Sequence, residues 1–217
     1  MKNYGGGMRE VLGKLARIGT VALAAALALR RLDDFDTWWH LAAGRWIARH
    51  GAVPATDTLS HTVRDHPWIN LEWAYEVAIY LLHSLGGPVL LSVAAAFCFT
   101  LAVWLLLRLV QPHLGDAGGA FLTLLVVLVI QDRFTVRPEM VSFPLLVGLL
   151  SVLGFARTRE GRGLWLLVPL MVIWVNVHGL FITGVFAILC ALVGAPSRKL
   201  ALWGLTSVAA VIVNPFG

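Results

Sequence analysis

Apolar runs separated by short polar breaks fill most of the chain, and one polar stretch, residues 33–76, is much longer than the rest. The runs at 18–29, 89–109, 117–130, 138–156, 164–177, 180–193 and 200–213 each read as a helix of the bilayer-crossing type, seven in all. Within the polar stretch, Trp39, Ala42, Ala43, Trp46 and Ile47 recur at helical spacing, so a helix is expected over 36–50. Asp36 is its expected N-cap, and Gly51 followed by Pro54 its stop. Its tryptophans suit a helix lying flat at headgroup depth. Residues 56–66 read as a loop, and 70–85 as a second helix that ends at Gly86-Gly87-Pro88. At ~1.5 Å per residue that helix is ~24 Å long, short for a ~30 Å hydrocarbon core.

The expected fold is therefore all-α, a polytopic transmembrane helical bundle of about seven spans with amphipathic juxtamembrane helices in its first extracytoplasmic loop. Residues 1–32 form a basic cytoplasmic N-terminus and first span, 33–87 the loop, and 88–217 six further spans with an extracytoplasmic C-terminus. The basic residues ahead of the first run resemble a signal peptide's start. Arg30 and Arg31 follow it in place of a cleavage site, so it reads as an uncleaved anchor in the plasma (inner) membrane.

Composition agrees: 59% of the 217 residues are hydrophobic and 13% charged, with a mean hydropathy of +0.80. The net charge of +5 does not indicate nucleic acid, because Lys and Arg are scattered at span ends. Cys98 and Cys190 lie inside apolar runs and suggest neither a disulfide nor a metal cluster.

Charge also decides the side of each loop. If 70–85 does not cross, the cytoplasmic side holds ten of the 17 basic residues and three of the twelve acids. If it does cross, Arg157, Arg159, Arg162, Arg198 and Lys199 all face outward, against the positive-inside rule. The non-crossing arrangement is expected. It places 33–76, 131–139, 176–179 and 214–217 on one face.

That face collects the candidate chemistry. Asp34 and Asp36 can take a proton from an acceptor hydroxyl or bind a divalent cation, and they can also serve only as caps. Asp36 and His40, four apart, share a helical face and are the candidate metal ligands, for Mg or Mn. Arg137, with Pro138 and Glu139 behind it, can fork onto a phosphate or simply snorkel. Asn176 and His178 stand between two nearly continuous runs and are candidate binding residues.

Asp34-Phe35-Asp36, the helix WWHLAAGRWIARHG, Pro67-Trp68, Glu72-Trp73 and the ending Leu85-Gly86-Gly87 together resemble the first outer loop of the GT-C glycosyltransferase superfamily, family 39 and related mannosyltransferases. The resemblance implies a transfer of sugar from a polyprenyl-phosphate donor on the extracytoplasmic face. It makes an acid at the start of this loop catalytic; Asp36, at the start of a helix that Trp38, Trp39 and Trp46 can anchor at a fixed depth, ranks before Asp34. His40, Arg137, Glu139, Asn176 and His178 would then contact substrate. His66-Pro67-Trp68 stands where family 39 has Lys-Pro-Pro, and the family's later spans and soluble domain have no counterpart in this sequence. The competing readings are a lipid or small-solute transporter and an inactive GT-C-like fragment. A transporter is expected to carry polar, broken helices at mid-membrane in repeated halves, and neither is seen here. Oligomeric state is not legible.

Overall fold

A computed structural model describes residues 4–216; Lys2 of the basic N-terminal group and Gly217 lie outside them. Among the described residues every regular element is helical. These are α1 (Tyr4–Ala28), α2 (Asp36–His50), α3 (Trp73–Ile130), α4 (Glu139–Thr158), α5 (Leu167–Val175), α6 (Phe181–Gly194) and α7 (Arg198–Ala209). Each of the seven apolar runs of the sequence contributes a helical segment.

The helix α3 is three rods in one continuous stretch. Gly87 (φ 62°, ψ −156°) and Gly115 (φ 68°, ψ −179°) take backbone angles that only glycine adopts freely, and they divide α3 into 73–86, 88–114 and 116–130. The Gly86-Gly87-Pro88 stop therefore falls where the sequence places it.

Side-chain contacts fix which helix ends lie together. Ser92 Oγ, near the start of the second rod, donates to the Arg30 carbonyl just past α1 (2.8 Å), and Arg17 in α1 pairs with Asp116 at the start of the third (2.9 Å). The second rod thus runs antiparallel to α1 and the third parallel to it. At the other end of the first rod, the Ala74 N–H donates to the Asn176 carbonyl (3.1 Å), beyond the C-terminus of α5. Both ends of rod 73–86 consequently lie at the pole that holds Arg30 and Asn176, as a helix that does not cross would require.

Two apolar cores organise the interior. One joins α1, α3, the connection before α4 and the start of α4 through Ala24, Leu91, Phe99, Val127, Phe134 and Met140; the other joins α4 to α7 around Leu149, Leu167, Met171, Trp174 and Ile188. Three stretches are long and apolar enough to cross a membrane, Glu10–Ala28, Trp73–Arg133 and Glu139–Thr158, while Leu164–Val175 and Phe181–Gly194 are shorter. Only 22%, 33% and 33% of the three long windows is buried inside the protein. Ile18, Phe97, Phe121, Val129, Phe186 and Val193 are each well over half exposed. A soluble monomer rarely leaves so much apolar surface uncovered.

One local expectation changes at α2, which has the predicted bounds, Asp36–His50, and the predicted left-handed Gly51 (φ 66°). Asp36 is its first helical residue rather than its cap. The N-cap is Phe35, without a side-chain bond, and the carboxylate of Asp34 accepts the Asp36 N–H at 2.9 Å instead. Of the Trp39–Ala42–Ala43–Trp46–Ile47 stripe, Ala43 and Ile47 face inward. Thr37, His40, Leu41, Gly44 and Ile47 are buried, whereas Trp38 and Trp39 are 49% and 38% exposed. The reason is Gly44, where any Cβ would overlap the Glu76 carbonyl, so α2 lies backbone to backbone against rod 73–86.

Candidate functional site

Three connections converge on the N-terminal end of α2. Thr37 Oγ1 donates to the Val136 carbonyl (3.0 Å), tying α2 to the 131–138 connection. The Trp73 indole donates to Asn176 Oδ1 (2.8 Å), and the Asn176 amide nitrogen donates to the carbonyls of Val172 and Val213 (2.8 Å each). Residues far apart in sequence are thereby held at one pole by side-chain hydrogen bonds.

The first centre is an ion-pair fork. Arg137 Nε and Nη2 both donate to the Asp34 carboxylate, the latter at 3.0 Å, and Nη2 also reaches Asp36 Oδ2 at 2.8 Å. Burial works to raise the Asp34 carboxyl, but the Arg137 guanidinium and the Asp36 N–H outweigh it and hold Asp34 below the usual carboxylate range. Asp34 is an anchored anion, its side chain 11% exposed; Asp36, at 44%, has the accessible carboxylate.

The second centre lies one turn further along α2, at His40, and among the described residues no Lys or Arg pairs with it. His40 Nδ1 stands 3.2 Å from Glu76 Oε1 and 3.8 Å from Glu72 Oε2. Asn70 Nδ2 donates to the other Glu76 oxygen at 2.6 Å, while Asn70 Oδ1 accepts the Glu72 N–H at 3.1 Å. Glu76 is fully buried and His40 nearly so. Across Glu72 stands His178, its Nε2 3.7 Å from Glu72 Oε1 and its Nδ1 2.8 Å from Ser142 Oγ. Trp174 Nε1, which can only donate, bonds the same Ser142 oxygen at 2.9 Å, so the hydroxyl proton is free to go to His178.

Burial, reinforced by Glu76 and opposed by His40, lifts Glu72 above the ordinary carboxyl range. Burial likewise lowers His178, against the pull of Glu139. Both shifts favour the neutral forms, as expected where two acids share a dry site with imidazoles. A cavity of about 370 Å³, lined by Trp39, Trp68, Asn70, Glu72, His178 and Gly179, opens beside this centre.

Of the residues singled out in the sequence, Asp34, Asp36 and Arg137 come together directly. His40 does not join Asp36: its ring turns to Glu76 while the Asp36 carboxylate turns to Arg137, so the proposed Asp36–His40 pair is split between the two centres. Asn176 pins the rod carrying Glu72 and Glu76, and His178 faces Glu72. The charge of Glu139 acts on Glu72, Arg137 and His178, yet Glu139 has no ion-pair partner among the described residues. Sequence reasoning missed Asn70, Glu76, Ser142 and Trp174, and named Glu72 only as part of a motif. The four-residue spacing of Glu72 and Glu76, which puts both on one helical face, was the available signal. A larger cavity by contrast, about 540 Å³ beside Arg157, Arg198 and Lys199, lies at the far pole and does not reach these residues. No protein-family model matches the chain, and no curated protein or solved structure is significantly similar to it.

Proposed function

We propose that the protein is a membrane-embedded glycosyltransferase of the GT-C type, moving a sugar from a polyprenyl-phosphate donor to an acceptor hydroxyl at the extracytoplasmic face. The main support is the fork of Arg137 on Asp34 and Asp36. It places a cation and an accessible carboxylate side by side at the end of an apolar bundle, where a lipid-linked phosphate would lie. In this reading all seven runs cross, α2 and rod 73–86 lie at the outer surface, and the N-terminus is cytoplasmic.

The chemistry follows from those groups. Asp36 takes the proton of the acceptor hydroxyl as its oxygen bonds the anomeric carbon; the bond from that carbon to the phosphate oxygen breaks, and the lipid phosphate leaves with the electron pair. Arg137 keeps N–H groups beyond its contacts to Asp34 and Asp36, and these can hold the departing phosphate. Asp34 locks the guanidinium in place. A divalent cation does not fit between Asp36 and His40, whose polar atoms point to different partners, and no step is assigned through one there.

Mass spectrometry of lipids that co-purify with the protein should find a polyprenyl phosphate. In a reconstituted assay Asp36→Asn should fold normally and lose ~10²-fold or more in turnover. Near-normal transfer by both Asp36→Asn and Asp34→Asn would refute the mechanism. Cysteines placed at Ser60 and Thr135 should react with an impermeant thiol reagent added outside intact cells, and one at Thr158 should not; labelling at Thr158 would overturn the orientation.

A further inference from the structure

Glu72 and Glu76 pose a charge problem that the fork at Asp34 does not. Glu76 is fully buried and Glu72 half-buried, their oxygens converge near His40 Nδ1, and among the described residues no Lys or Arg pairs with either. Sequestering a carboxylate costs several kcal/mol unless a cation or several donors meet it. The amide of Asn70 and the imidazoles of His40 and His178 give the two carboxylates no permanent cation.

We propose that His40, Glu72 and Glu76 bind one divalent cation, in a site distinct from the Asp36–Arg137 fork. One ligand atom from each residue lies within 4.8 Å of the others, which small side-chain adjustments would bring to metal-ligand distances of ~2.0–2.2 Å. The outer contacts are those that orient ligands at metal sites. Asn70 holds the far oxygen of Glu76, leaving Oε1 toward the imidazole, and His178, backed by Ser142 and Trp174, faces the far oxygen of Glu72. The cavity that reaches Glu72 supplies an entry path. One nitrogen and two carboxylates balance a +2 charge, and the nitrogen selects Zn²⁺ or Mn²⁺ over Mg²⁺ or Ca²⁺. The site rests on this geometry and not on the transferase reading, so either can fail alone.

The test uses the full chain in detergent with its affinity tag removed, stripped with chelator and titrated with Zn²⁺, Mn²⁺ and Mg²⁺. One equivalent of Zn²⁺ or Mn²⁺ should bind at least ten-fold more tightly than Mg²⁺. His40→Ala and Glu72→Gln should each weaken it ten-fold or more, while Asp36→Asn leaves it unchanged. X-ray absorption of the loaded wild type, which needs no variant to fold, should show imidazole scattering with one nitrogen and at least two oxygens near the metal. Absence of binding, a Mg²⁺ preference, a shell of oxygen alone, or an affinity that survives His40→Ala would each overturn the site.

Discussion

Two acidic centres flank the start of α2 and solve the same electrostatic problem differently. Asp34 and Asp36 share a guanidinium supplied by the connection before α4, and the pair is partly open to solvent. Glu72 and Glu76 are more deeply buried and meet only an amide and imidazoles. A permanent cation makes the first centre self-sufficient at any ordinary pH. The second needs protons or a metal ion to be neutral, and burial drives it toward one or the other.

The largest expected effect falls on the second centre through packing. Gly44→Val would drive a side chain into the Glu76 backbone and lift α2 from rod 73–86, at a cost of about 3 kcal/mol. His40 would leave Glu76 while the Asp34–Arg137 pair survives. Thermal unfolding in detergent measures the loss, and metal titration checks the separation.

Next in size is the first centre. Arg137→Gln leaves Asp34, mostly buried, without its guanidinium partner, and should destabilise by about 1–3 kcal/mol. Arg137→Lys, which keeps charge but not the fork, should fall between Gln and wild type in both unfolding midpoint and transfer rate.

A smaller effect concerns pH. Because the folded Asp34 carboxyl sits below its ordinary value of about 4, its contribution to stability is complete above that value. It is lost as pH falls through the lower, folded value. The unfolding midpoint of wild type should therefore drop below about pH 4 by more than that of Asp34→Asn. Equal slopes would mean that Asp34 and Arg137 are not paired in solution.

The smallest effect is expected away from both centres. The carboxylate of Asp57 accepts the N–H groups of Leu59 and Ser60, which shapes an exposed loop and nothing in either centre. Asp57→Asn should leave transfer within about two-fold and metal binding unaltered, since an amide oxygen can accept the same bonds. A large loss would extend the site into the loop.

What the sequence determined by itself was set by local rules. The apolar runs became helical segments because a helix satisfies its own backbone hydrogen bonds within the run, and α2 ended at Gly51 because the chain there needs a left-handed residue. Counting charges along loops gave the shared pole of Asp34, Arg137 and His178. Tertiary structure alone decided which partners those residues took. Periodicity made α2 a helix but could not show that the polar Thr37 and His40 turn inward beside Ala43 and Ile47. That orientation came from Gly44, which lets two backbones touch, and from Thr37, which bonds Val136. Those contacts turned His40 toward Glu76 and Asp36 toward Arg137. Hydrophobic pattern is local and can be read one residue after another, whereas the meeting of a carboxylate with an imidazole or a guanidinium depends on distances that only the packed chain sets.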